Sequence, residues 1–166
     1  PPAMGEVSEN VLKRNFTAKK PDEKWLTDVT EFKCNGKKLY LSPILDLYNR
    51  EIRSYHLSRS PNSEMVLTML SQAVVQLGEC KPTLHSDQGV LYRCRAYRQQ
   101  LADAEITQSM SRKGNCWDNA PMESFFAILK TECFHNRSFV SIEELEAEIH
   151  EYIRYYNHER LSLNLK

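Results

Sequence analysis

The sequence has no excess of charge: 22 Lys and Arg balance 22 Asp and Glu over 166 residues. A free-standing DNA binder usually carries a basic surplus, so the total lends a nucleic-acid partner no support. No two of the five cysteines (Cys34, Cys80, Cys94, Cys116, Cys133) have C-x-x-C spacing. That argues against a zinc knuckle or a dithiol redox site, and Cys133 with His135 lacks a second pair of ligands. Free thiols in a reducing compartment are expected. No apolar run approaches the length of a bilayer span, so no membrane partner is expected. The opening stretch Pro1–Asn10 has no basic segment followed by an apolar one, so a secretory signal is not expected and the cytoplasm is the default location. Internal repeats and low-complexity stretches are also missing. What remains is ordinary globular composition, 41% hydrophobic and 27% charged, at a length that suits one domain with a sizeable core.

Charge is unevenly distributed. Residues 1–60 carry 11 basic and 8 acidic side chains (+3), residues 61–117 carry 6 and 5 (+1), and residues 118–166 carry 5 and 9 (−4). The acid of the last part gathers between Glu143 and Glu151, as on the solvated face of a helix. The neutral total therefore leaves room for DNA on the remaining surface, with another module supplying much of the affinity.

Residues 1–20 read as a polar linker or loosely held arm, and 21–166 as the folded core. Trp25–Phe32 is aromatic and β-branched and predicts a strand. Asn35-Gly36 signals a hairpin leading into a second strand, Lys38–Asp46, despite Pro43. Glu51–Leu57 gives a third strand. Ser60-Pro61 reads as a helix start, with Met65, Val66, Met69, Ala73, Val74 and Leu77 at helical spacing and Gly78 as the stop. Pro82–Ser86 is a short strand ending at Asp87, Leu91–Ala102 a polar helix, and Glu105–Ser109 a fifth strand. Ser111–Asn119 is a loop whose last residue can cap the next helix, where Met122, Phe125, Phe126 and Leu129 share one face. A final amphipathic helix starts at Ser141. The order β-β-β-α-β-α-β-α-α predicts an α/β fold: a mixed five-stranded sheet, three strands antiparallel and then β-α-β-α-β, flanked by helices.

Three carboxylates stand out. Asp28 lies within a predicted strand, where Asp is disfavoured. Asp87 lies at the carboxyl end of a strand, where open α/β sheets place their ligands. Glu123 lies in the first turn of a helix, where acidic residues are common for dipole reasons alone. Each taken singly is more often a solvated surface group. If the first and fourth strands are neighbours, Asp28 and Asp87 converge and the helix closes Glu123 upon them. Oxygen ligands without a His or Cys cluster suit Mg²⁺ or Mn²⁺.

These residues resemble the DDE transposases and integrases of ribonuclease-H-like fold, and most closely the insertion-sequence 3 family. The resemblance is carried by Trp25-Leu-Thr-Asp28, by His85-Ser-Asp87-Gln-Gly89 and by the run from Ser109 to Lys130. It is also carried by Tyr155-Tyr156-Asn157-His158-Glu159-Arg160, and by the 35 residues between Asp87 and Glu123. It implies a ribonuclease-H-like core in which Asp28, Asp87 and Glu123 are catalytic and hold divalent metal, two Mg²⁺ or Mn²⁺ ions. The implied activity is DNA cleavage followed by strand transfer, within a homodimer or higher assembly on DNA ends, in a bacterial cytoplasm with nucleoid association on DNA. Lys130 is expected to contact a phosphate; seven residues place it on the helix face of Glu123, about 10 Å away. His85, Asn115, Trp117, Asn119 and Arg160 are further DNA-contact candidates, with His85 and Trp117 equally readable as structural. Tyr156 fits the core face of the last helix better than a DNA contact. The family's N-terminal helix-turn-helix region finds no room in these residues, which keeps two alternatives open: a non-catalytic DNA-binding remnant, or a metal-dependent nuclease that uses water alone.

Overall fold

The computed structural model describes residues 5–112 and 119–164, with 161–164 described by backbone alone. Six strands and five helices follow in the order β1 (Lys24–Thr27), β2 (Thr30–Cys34), β3 (Lys37–Asp46), β4 (Ile52–Ser58), α1 (Ser63–Val74), β5 (Thr83–Ser86), α2 (Val90–Arg93), α3 (Arg95–Asp103), β6 (Thr107–Met110), α4 (Ala120–Cys133) and α5 (Ile142–Asn164). All six strands form one sheet. β3 pairs antiparallel with β1, β2 and β4, while β1–β5 and β5–β6 are parallel. Among the described residues no helix is long and apolar enough to cross a membrane.

The expected first strand is split in two. Its halves keep one register on β3, with Thr27 opposite Ile44 and Thr30 opposite Leu41. In that register the residue facing Asp28 is Pro43. Proline offers the ladder no N–H, and pairing lapses over Asp28-Val29. Asp28 is therefore not inside a strand, as its sequence setting suggested. It sits in a gap where its Oδ1 accepts the Val29 N–H at 2.8 Å.

Alternation along β1 divides the core between the two sheet faces. Leu26 joins Phe32, Leu41 and Leu45 beneath α4 and α5. Trp25 points the other way and joins Ile44 and Leu84 beneath α1 and α3. Each fully buried side chain of this kind stabilises the fold by about 1.5–3 kcal/mol. The hairpin expected at Asn35-Gly36 is present, with φ of 51° and 76° at the two positions, which suits Asn and Gly.

Other boundaries moved. α1 is capped by Asn62, whose Oδ1 accepts the Met65 N–H at 3.1 Å, rather than by Ser60. The single helix expected over Leu91–Ala102 is two, because Cys94 adopts an extended ψ of 149°. The arm expected to be loosely held is docked from Gly5 onward. The Met110 N–H donates to the Glu9 carbonyl at 3.0 Å, and the Leu12 N–H donates to Ser109 Oγ at 3.1 Å. The arm thus covers the otherwise open edge of β6. Cys34, Cys80, Cys94 and Cys133 are free thiols.

Candidate active site

The parallel pairing of β1 and β5 sets Leu26 beside His85. Two residues further along each strand stand Asp28 and Asp87, side by side at the carboxyl ends. Glu123 approaches Asp28 from the first turn of α4. Asn119 lacks the capping bond expected of it; its side-chain Nδ2 instead lies 3.4 Å from the Thr27 carbonyl. That contact ties the root of the Glu123 helix to the last residue of β1.

Asp28 is half-buried, and its carboxyl lies against that of Glu123. Burial, the Glu123 contact and the charge of Asp87 push Asp28 up to about 8, against the opposing pull of the Val29 N–H. Such a carboxyl keeps its proton near neutrality because burial, and then its acidic neighbours, disfavour the charged form. Asp87 is more exposed, and its Oδ1 accepts the Gly89 N–H at 2.6 Å. A side chain at 89 would meet that oxygen at 2.7 Å, which explains the glycine.

Among the described residues, no three acidic, His or Cys groups are drawn close enough to enclose an ion as they stand. The donor set nevertheless fits a hard dication. It is all oxygen and gathers negative charge, which a divalent cation would offset. Lys130 does not neutralise the set: its Nζ donates to the Glu31 carbonyl at 2.9 Å and lies 5.1 Å from the centre of the Phe32 ring. Burial lowers its pKa.

The remaining expectations divide. His85 is 0% exposed, with Nδ1 at 2.7 Å from Ser109 Oγ inside the sheet, so it has no surface for DNA. Asn119, at 6% exposure, is likewise internal. Neither side chain presents a surface to DNA in this fold. Arg160 stacks on Tyr156 at 5.2 Å, and the Tyr156 hydroxyl donates to the Arg50 carbonyl at 2.7 Å within the core. Asn115 and Trp117 lie outside the described residues. Sequence reasoning missed Gln88, whose Nε2 donates to the Ser111 carbonyl at 3.1 Å, and Tyr92, buried behind the aspartates. Neither has a local signal, since each partner is distant in the chain or the third dimension.

A mixed sheet that brings acids from two parallel strand ends to one from a following helix defines the ribonuclease-H-like polynucleotidyl transferase class. Integrase core domain models match residues 18–116 and 123–166, and the chain belongs to the integrase core family. An uncharacterized transposase-like protein of Haemophilus influenzae is 56% identical over 98% of this chain and 76% of its own length. InsK, the transposase assigned to insertion sequence element IS150 of Escherichia coli K12, is 54% identical over 98% of this chain. This chain spans only 58% of that relative. In solved structures, the HTLV-2 integrase catalytic core domain in complex with magnesium (trimeric form) aligns with a TM-score of 0.61 at 18% identity, over 80% of this chain and 83% of the other. At that identity the likeness shows the fold.

Proposed function

We propose that this chain is the metal-dependent catalytic core of an insertion-sequence transposase, which cuts DNA at element ends and joins the freed 3′-hydroxyl to a target strand. What supports the reading is that Asp28, at the carboxyl end of β1, has Asp87 of the adjacent strand and Glu123 of α4 as its acidic neighbours. Asp28, Asp87 and Glu123 would hold two divalent ions, Mg²⁺ or Mn²⁺, whose chemistry is to activate an attacking oxygen and offset charge on a leaving one.

The chain's own residues supply position. Asp28 and Asp87 stand on adjacent strand ends, a rigid mounting. Glu123 is exposed and opens towards solvent, where a strand of DNA can approach. Lys130, on the same helix, retains N–H groups beyond its bond to Glu31 and can meet a phosphate. Arg160 is a second candidate for the DNA backbone. Relatives named as transposases support the DNA substrate, and the HTLV-2 core solved with magnesium, in trimeric and dimeric forms, supports both the metal and an assembly of copies. Action on DNA in a bacterial cytoplasm follows from the same reading.

Labelled element-end DNA incubated with the chain and Mg²⁺ or Mn²⁺ tests it. Joined products are expected, and Asp87→Asn should abolish them while leaving the circular dichroism spectrum intact. Cleavage without joining would reduce the reading to a hydrolytic nuclease. Unimpaired joining by the Asn variant would refute the assigned metal ligand.

A further inference from the structure

The N-terminal half of α4 borders a groove of about 380 Å³. Its walls include Ala120, Pro121 and Ser124 of α4, Phe16 of the arm, and two arginines, Arg50 and Arg160. None of the residues lining it is acidic. Neither guanidinium has a carboxylate partner among the described residues. Ala120 precedes Glu123 by three residues, nearly one turn, so the two share a helix face about 4.5 Å apart along the axis. The groove therefore begins beside the acid of α4.

Both arginines are fixed by α5. Arg50 lies in the β3–β4 turn with a φ of 66°, a left-handed backbone that a residue with a side chain adopts at a cost. The Tyr156 hydroxyl donates to the Arg50 carbonyl at 2.7 Å. Asn157 accepts the Ile52 N–H at 2.8 Å and donates to the Ile52 carbonyl at 3.0 Å, which pins the far side of the turn. Arg160 follows on the same helix, its guanidinium 5.2 Å from the centre of the Tyr156 ring. Burial raises the pKa of the Tyr156 phenol, and Arg160 and then Arg50 pull against it, so both charges bear on one spot.

Two like charges around one groove, with no acid between them, disfavour each other until an anion arrives. The planar fork of a guanidinium matches a phosphate. We propose that the groove is a subsite for the DNA strand, in which Arg50 and Arg160 together hold one phosphodiester beside the segment that lies at the acids. This rests on the DNA-processing reading above and adds Arg50 and the groove to it. Cations mounted this way set where a strand lies without reading its bases.

The test follows binding of the full chain to a fluorescein-labelled DNA duplex with a single-stranded overhang, by anisotropy over a salt series in EDTA. EDTA keeps the measurement apart from metal binding. Arg50→Gln, Arg160→Gln and the double variant are compared with Arg154→Gln, a control on the exposed side of α5. The double variant should bind more weakly and flatten the slope of log K against log salt by about one, as for one lost phosphate contact. Arg50→Gln should shift both in the same direction at wild-type Tm, and decides the matter alone if loss of the Tyr156 stack unfolds Arg160→Gln. Arg154→Gln should change neither. Wild-type affinity and slope in Arg50→Gln would overturn the inference, and so would an equal loss in Arg154→Gln, the mark of a general charge effect. A changed oligomeric state in sedimentation with unchanged DNA affinity would also overturn it and assign the groove to contact between copies. A wild-type chain that bound no DNA would instead overturn the DNA reading itself.

Discussion

The two ends of β1 carry acids with opposite surroundings. At its start, Asp22 and Asp46 are 7% and 1% exposed. Asp22 Oδ1 accepts from Trp25 Nε1 at 3.0 Å and Arg53 Nε at 2.9 Å, and Oδ2 accepts from the Arg53 guanidinium at 3.0 Å. Asp46 accepts the backbone N–H groups of Asp22 and Tyr48, both at 2.9 Å. Burial raises the pKa of Asp46, but these two donors work against it. Every carboxylate oxygen there has a donor. At the far end of the same strand Asp28 faces Glu123 and Asp87, and acid meets acid. A buried carboxylate whose donors are complete is a structural element. One that is surrounded by its own kind is poised for a ligand the fold does not itself supply.

The comparison is most exposed to failure through Asp28→Asn. Strand joining should fall to background, because a metal ligand is gone. In EDTA the same change should raise the Tm at pH 8. Asp28 is pushed up from 3.8 to about 8 in the fold, so the folded state holds the proton more tightly than the unfolded chain. Wild-type stability is then undiminished below about pH 4 and falls as pH rises towards 8. The variant should show a flatter profile over that interval. Identical Tm-against-pH curves for the two proteins in EDTA would show that the acids at this end are not in conflict.

The next largest effect belongs to the other end. Arg53→Met leaves Asp22 buried and uncompensated, and should cost about 3–5 kcal/mol in urea unfolding. Joining activity should persist below the lowered transition, since Arg53 stands away from the site. At Asp46, where burial also raises the pKa, the same exchange sets relief of that charge against the loss of its donors. Asp46→Asn puts an amide NH₂ towards one of two backbone donors, and is expected to lose about 1–3 kcal/mol at pH 7. A neutral or stabilising Asp46→Asn would mean that the donors counted there do not offset its burial.

Much of this was legible in the chain before any coordinates. The aromatic and β-branched run from Trp25 announces a strand, Asn35-Gly36 announces its turn, and the spacing of Met122, Phe125, Phe126 and Leu129 announces the face of α4. Those signals are local. The break at Asp28 was not legible, because it arises from Pro43 fifteen residues away in a register that only pairing sets. The docking of the arm was hidden for a similar reason: its bonds to Ser109 and Met110 run through backbone groups that every sequence possesses. His85 and Asn119 looked like surface contacts because polar residues beside a motif suggest a ligand. The fold uses both internally, one against Ser109 and the other against the Thr27 carbonyl. The three candidate acids were proposed as a set, on Asp28 standing within an expected strand and on the resemblance that joined it to Asp87 and Glu123.

Gly89→Ala gives the smallest effect and sharpens the contrast within the site. Gly89 has an ordinary φ of −59°, so alanine meets no backbone strain. The added methyl would instead stand 2.7 Å from Asp87 Oδ1, closer than real contacts allow, while Tyr92 lies at an ordinary 3.7 Å. The carboxylate must turn away from the Gly89 N–H, and with it goes the orientation in which Asp87 adjoins Asp28. Mn²⁺ half-saturation should rise about tenfold, the range seen when support to a metal ligand is lost, while the Tm in EDTA stays close to wild type. A crash in EDTA stability with unchanged Mn²⁺ affinity would assign the Asp87–Gly89 turn to the frame of the fold, and would place Asp87 with the satisfied acids at the other end of the strand.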